Sequence, residues 1–145
     1  MIRFASATAA LLLTAAPALA QSADNKVVLT FETGARTGMV MVALYDTARA
    51  FDGGADSEAN RAVARTAISA SGRVVATFDN LPAGDYAVKA FHDVNGDGEM
   101  NTNPFGMPTE PYAFSNNAVG NMGPARWDRA HFAVSGETAQ TISIR

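Results

Sequence analysis

Arg73-Val74-Val75-Ala76-Thr77-Phe78-Asp79, then Asn80-Leu81-Pro82-Ala83-Gly84, then Asp85-Tyr86-Ala87-Val88-Lys89-Ala90-Phe91-His92, is the stretch that decides the fold class. In the first run Val74, Ala76 and Phe78 share one face, with Arg73, Val75, Thr77 and Asp79 on the other. In the third run Tyr86, Val88 and Ala90 share a face. A period of two is that of a half-buried strand. The middle run is a tight connection, because proline presets φ and glycine accepts a positive φ.

The same period extends outward. Lys26–Glu32 places Val27, Leu29 and Phe31 on one face. Gly34 and Gly38 read as a turn, and Met39–Tyr45 (MVMVALY) reads as a central strand covered on both faces. Asp46–Asn60 breaks the pattern and reads as a long loop, in which Thr47–Phe51 has the makings of one helical turn. Arg61–Ser69 alternates imperfectly around Val63 and Ile68, and Ser71-Gly72 is a turn. Residues 93–125 are rich in Gly, Pro and Asn and read as a long structured excursion, or as two loops around a short strand at Pro111–Phe114. Trp127–Ser135 and Thr138–Arg145 resume the alternation. About seven short strands with no long amphipathic helix predict an all-β protein, a seven-stranded antiparallel β-sandwich of immunoglobulin-like or transthyretin-like kind.

The N-terminus reads as an address. Met1-Ile2-Arg3 is followed by an apolar run centred on Leu11-Leu12-Leu13, and Ala18-Leu19-Ala20 supplies the small residues of a cleavage site. These features predict a signal peptide over residues 1–20 and a single domain over 21–145, periplasmic or secreted. The apolar run is short for a membrane span and Pro17 interrupts it, so the remaining chain is expected to have no transmembrane segment. The whole chain of 145 residues carries a net charge of −3, and losing residues 1–20 takes one basic residue, Arg3, and no acid. An acidic domain without a basic stripe argues against nucleic acid as a partner. The absence of cysteine excludes disulfides, thiolate-bound zinc, iron–sulfur clusters and thiol catalysis.

The chemistry concentrates in His92-Asp93-Val94-Asn95-Gly96-Asp97-Gly98-Glu99-Met100-Asn101, which holds D-x-N-x-D-G. Calcium takes six to eight oxygens. Alternate Asp and Asn side chains on a tight loop supply them, and Gly98 allows the chain to turn back. The expected ligands are the side chains of Asp93, Asn95 and Asp97, the carbonyl of Glu99, and Asn101 directly or through water. The twelfth position is Pro104, where an EF-hand needs glutamate, and the flanks are not helices. Another acid must therefore close the shell: Glu110 is nearest, with Asp79 and Asp128 as alternatives. An ion here would stiffen the 93–125 excursion. The competing reading is an Asx-rich turn with no metal.

Other chemistries find less support. His92 and His131 each stand alone in an alternating run, which favours structural imidazoles over metal ligands. Ser115 lacks a nucleophile elbow, and Asp52-Gly53-Gly54 lacks the Lys and helix of a phosphate loop. Nothing selects a pair of carboxylates for glycoside hydrolysis. Phe105, Tyr112, Phe114 and Trp127 form either a contact patch or, the favoured alternative, a small core holding the excursion down.

Several of these runs together resemble the DUF2141 family of exported bacterial proteins. They are Leu81–Val88, Phe91–Gly98, Phe105–Pro108, Tyr112–Asn117, Gly123-Pro124 and Trp127–Phe132. The resemblance spans most of the chain beyond residue 20. It implies a transthyretin-like or Cna-B-like sandwich, and a loop similar to the calcium loops of Cna-B-type repeats. It carries no activity, substrate or catalytic residue. Where the family often has Lys-Leu-Asp after the loop glycines, this chain has Glu99-Met100-Asn101, which removes one negative ligand. The resulting expectation is a non-enzymatic envelope module that contacts protein or glycan and binds Ca²⁺. The alternative is a carboxylate-dependent hydrolase acting on polysaccharide or peptidoglycan.

Overall fold

A computed structural model of the chain describes residues 24–53 and 61–145. The expected signal peptide and residues 54–60 of the expected Asp46–Asn60 loop lie outside the described residues. The chain is all-β in the main. Its strands are β1 (Asn25–Tyr45), β2 (Ala64–Leu81), β3 (Gly84–Asp93), β4 (Tyr112–Phe114), β5 (Phe132–Val134) and β6 (Glu137–Ser143). Two short helices, α1 (Ala48–Asp52) and α2 (Trp127–Ala130), and a 3-10 turn at Ser115–Asn117 complete the described residues. No helix among them is long and apolar enough to cross a membrane.

The expected count of seven strands falls to six, because two expected turns are bulges inside long strands. Lys26–Glu32 and Met39–Tyr45 are one strand of 21 residues, and the runs on either side of Ser71-Gly72 are one strand of 18. These two strands pair antiparallel from Asn25↔Leu81 to Leu44↔Ala64. Between Glu32↔Arg73 and Thr37↔Ser71, β1 advances five residues while β2 advances two. An odd surplus reverses which face each side chain takes. Odd-numbered residues Val27, Leu29 and Phe31 are therefore buried before the bulge, and even-numbered Val40, Val42 and Leu44 after it. Gly34 at φ 66° and Gly72 at φ 72° face each other there, and the Thr33 hydroxyl donates to the Gly72 carbonyl at 3.0 Å.

β1 is the centre of one open sheet. β2 lies along one side. On the other side β6 pairs with residues 26–32 and β3 with residues 39–45. β4 and β5 pair with opposite ends of β3. The expected all-antiparallel arrangement fails at β6, which runs parallel to β1. The chain crosses over through the 93–125 excursion and α2 before returning. The expected strand over Trp127–Ser135 is also shorter. Asp52 Oδ1 accepts the Trp127 N–H at 2.8 Å, which starts α2, and only Phe132–Val134 is extended. Val63, expected within a strand, lies before β2 and is half exposed.

The faces expected to be apolar are the buried ones. Val27, Leu29, Phe31, Val74, Ala76, Phe78, Tyr86, Val88, Ala90 and Ile142 belong to one cluster, while Val75 on the opposite face is exposed. Complete burial of a side chain such as Phe31 is worth roughly 1.5–3 kcal/mol. A second cluster gathers Tyr45, Ala50, Phe51, Ala87, Phe114 and Ala130, with Trp127 against it. It seats α1, capped by the Thr47 hydroxyl on the Ala50 N–H, on the sheet below the excursion.

Candidate functional site

The site begins where β3 runs out. His92 and Asp93 are its last residues, fully and almost fully buried. The His92 ring faces the bulge of β1, and Nε2 donates to the Thr37 carbonyl at 3.1 Å. Its Nδ1 is buried with no hydrogen-bond partner among the described residues. Gly38 lies against the same turn: a Cβ there would collide with the Asp93 carbonyl oxygen. The loop is thus bedded on the bulge, and the two features that read as separate turns pack together.

Asp93 organises the loop. Oδ1 accepts the Gly96 N–H at 2.6 Å and Oδ2 the Gly98 N–H at 2.8 Å. Both glycines have positive φ, 78° and 80°, which is what lets the chain curl around one carboxylate. Outside this ring lies a second one. Asn95 Nδ2 donates to Asp97 Oδ2 at 3.0 Å and to Asn101 Oδ1 at 2.9 Å, and Asn101 Nδ2 donates to Asp97 Oδ2 at 2.8 Å. Asp97 Oδ1 accepts the Glu99 N–H at 2.9 Å. These donors, the Asn101 amide foremost, then the Glu99 N–H and the Asn95 amide, hold the Asp97 carboxyl below the usual carboxylate range.

Glu110 closes the loop from its far end. Its side chain is buried, with Oε1 accepting the Val94 N–H at 2.9 Å and Oε2 the Asn101 N–H at 3.2 Å. Of the three acids proposed to complete an ion shell, Glu110 is the one that joins this loop. Asp79 belongs to β2 and Asp128 to α2. The structure therefore brings Asp93, Asn95, Asp97, Asn101 and Glu110 together, with Glu99 contributing main chain. Among the described residues no group of three or more His, Cys, Asp or Glu is arranged to hold a metal ion. The two buried carboxylates spend an oxygen on each of four backbone donors, and the exposed oxygens belong to Asp97 and two amides.

Beyond Asn101 the chain forms a narrow finger. Thr109 N donates to the Asn101 carbonyl at 2.8 Å, Thr102 bridges Pro108, and Asn103 N donates to the Met107 carbonyl at 2.9 Å. Asn103 Oδ1 also accepts the N–H of Phe105 and of Met107, both at 3.0 Å. At the tip Phe105 is 89% exposed and Met107 63% exposed. The expected mini-core thus divides. Phe114 and Trp127 pack on Phe51 with ring centroids 6.1 Å apart in each case. Tyr112 is half exposed and Phe105 stands in solvent. His131 is structural, its ring stacked 5.6 Å from Trp127 and its Nδ1 donating to the Trp127 carbonyl at 2.8 Å.

Two features had no signal in the sequence. Lys89 lies over the rings of Phe51 and Tyr45, 4.8 and 5.1 Å from their centroids. A cleft of about 480 Å³ is walled by Tyr112, Phe114, Ala118 and Val119, with Arg145 among its lining residues and no Asp or Glu. Both depend on strand pairing, which a local pattern does not encode.

An all-β domain of one bulged sheet, with a carboxylate-centred loop at the end of its third strand, is the class of protein these observations define. The chain belongs to the family described as "Uncharacterized protein conserved in bacteria (DUF2141)", whose model matches residues 32–143. No curated protein and no solved structure matches it.

Proposed function

We propose that this protein is an exported, non-enzymatic binding or structural module of the cell envelope, whose Asp93–Glu110 loop takes up Ca²⁺. The N-terminal apolar run and its small-residue cleavage pattern support export to the periplasm or beyond. The bulge in the β1–β2 ribbon, with both halves in one apolar cluster, supports reading those halves as the facing layers of a sandwich. The partner would be an envelope protein or a glycan.

The observation that carries the ion reading is the convergence of Asn95, Asp97 and Asn101 within 2.8–3.0 Å of one another, above the Asp93 carboxylate. These contacts are amide N–H groups on oxygens, and the same three side chains carry the hard oxygen donors that calcium takes. Asp97, the two amide oxygens and the Glu99 carbonyl would hold the ion, with Asp93 sharing an oxygen. The amides must turn their oxygens inward, since each now points a nitrogen at Asp97. With only two carboxylates in reach, affinity belongs to the weak range of extracellular modules, on the order of 10⁻⁴–10⁻³ M. The role is to stiffen the excursion. The hydrolase alternative needs two carboxylates facing one cleft, and no specific observation favours it.

The test is a thermal melt in EDTA and in millimolar Ca²⁺, with Mg²⁺ as control. At calcium tenfold above Kd the native state gains about 1.4 kcal/mol, a rise of a few degrees. Asp97→Ala should abolish that rise, and the melt in EDTA separately reads what is lost with its hydrogen bonds to Asn95, Asn101 and Glu99. An equal response to Mg²⁺, or a rise that survives Asp97→Ala, would exclude this loop as a calcium site.

A further inference from the structure

The finger and the cleft are both uncovered, and they complement each other. The finger presents an aromatic ring and a thioether on a turn whose backbone groups are tied down by Asn103. A rigid aromatic anchor held in water is characteristic of an interface centre. At 89% exposure Phe105 does not occupy the cleft of its own chain. The cleft offers apolar walls in Val119 and Tyr112, themselves 74% and 41% exposed. Its volume of about 480 Å³ lies in the range that holds a side chain and its neighbours.

Charge points the same way. Between Lys89 and Arg126 the chain has no lysine or arginine and four acids, of which Asp97 and Glu99 are exposed at the base of the finger. The finger is therefore an apolar tip in an acidic collar. The one charged side chain lining the cleft is the exposed guanidinium of Arg145. Finger and cleft wall belong to one excursion, 93–125, so a single two-fold axis beside it can satisfy both contacts at once and close the assembly.

We propose that two copies of this chain pair by exchanging fingers: Phe105 and Met107 of each enter the cleft of the other, with Arg145 facing the acidic collar. This does not rest on calcium binding. The experiment is sedimentation velocity of the purified protein over about 1 µM to 1 mM, spanning weak to moderate affinities. The expected result is a concentration-dependent monomer–dimer equilibrium. Phe105→Ser removes an anchor from each of two equivalent contacts and should weaken the dimer about 100-fold. Val119→Asp and Arg145→Glu, which damage the cleft, should also weaken it. All three positions are exposed, and circular dichroism checks that each variant is folded. The decisive sample is an equimolar mixture of Met107→Cys with Val119→Cys under mild oxidation, since the chain has no cysteine of its own. In a finger exchange the two thiols meet only across the mixed pair, while in either variant alone each faces a native side chain, so the disulfide-linked dimer should form far faster in the mixture. Wild-type protein that stays monomeric throughout, or a mixture that cross-links no faster than its components, overturns the proposal. A monomer that binds zwitterionic vesicles through Phe105 would assign the finger to lipid instead.

Discussion

Asp93 is the residue on which the loop turns, and its value is measurable. Its two oxygens satisfy the Gly96 and Gly98 N–H groups in a nearly water-free position, 2% exposed. Asp93→Ala leaves both donors without an acceptor, and charge-assisted bonds of this kind are worth about 1.5–3 kcal/mol each. The expected loss is about 3 kcal/mol by urea denaturation, with Asp93→Asn costing less because its amide oxygen still accepts. A loss below about 1 kcal/mol would mean that the loop holds its shape without the carboxylate. The two lysines make a second test at this scale. Lys26 pairs with Glu137 at 2.7 Å, and that hydrogen bond and charge raise its pKa. Burial pushes the Lys89 amine below its ordinary value, and Asp52 opposes this in part. Between the folded pKa of Lys89 and about 10.4, the unfolded chain binds more protons there, so stability rises with pH across that window. Lys26 does the reverse, and its contribution is lost as pH rises through its raised folded value. NMR of ¹³C-methylated amines should find Lys89 titrating first and Lys26 last, and the opposite order refutes the assignment of causes.

Among the elements, the bulge separates what was legible from what was not. Alternation named the buried face of Lys26–Glu32, Arg73–Asp79, Asp85–His92 and the final run, because a period of two reports local burial directly. Met39–Tyr45, read as covered on both faces, buries only Val40, Val42, Leu44 and Tyr45. The helical turn at α1 was legible for a similar reason, with Thr47 in place to cap it. The join between strands was not legible. Gly34, Gly38 and Ser71-Gly72 have the composition of hairpin turns, and only tertiary pairing shows them to be one kink shared by two long strands. The D-x-N-x-D-G run was legible as one tight loop, since Asp, Asn and Gly at alternate positions bend the chain on itself whether or not an ion is held, and Glu110 was legible as the nearest of three acids. That Asp93 and Glu110 serve backbone N–H groups depends on burial, which spacing does not encode. The bulge yields a paired prediction. Gly34→Ala meets no atom within 4 Å and suffers only the strain of φ 66°, roughly 1 kcal/mol. Gly38→Ala meets the backbone of Asp93 and Val94 at φ 128°, and should cost about 3 kcal/mol. Thermal melts of the two variants rank them, and equal costs would mean that the loop shifts away from β1 freely.

At the scale of the whole molecule, the parallel pairing of β6 with β1 was the largest miss, and it has the largest consequence. It joins the two ends of the described chain, from Lys26↔Glu137 to Glu32↔Ser143. No local signal distinguishes a parallel neighbour from an antiparallel one, and the 93–125 excursion supplies the crossover without a helix long enough to announce it. Asn25 locks the arrangement: its amide donates to the Leu81 carbonyl at 3.0 Å, and its oxygen accepts the Gly136 N–H at 2.6 Å. The first strand is thereby tied to the end of β2 and to the start of β6. Ile142 pairs with Phe31, and it and Ile144 join the buried cluster that holds Val27, Leu29 and Phe31. Each isoleucine is worth roughly 1.5–3 kcal/mol in buried apolar surface, and the ladder of β6 adds to that. A small domain has about 5–15 kcal/mol in all. A chain ending at Gly136 should therefore lose most of its stability and expose a long unpaired edge on β1, the surface that recruits other chains. Cooperative unfolding by circular dichroism should vanish or fall by tens of degrees, with aggregation on concentration. A truncated chain that melts within a few degrees of the full one would show that β1 and β2 hold the sheet alone. The parallel strand would then be an accessory to the fold.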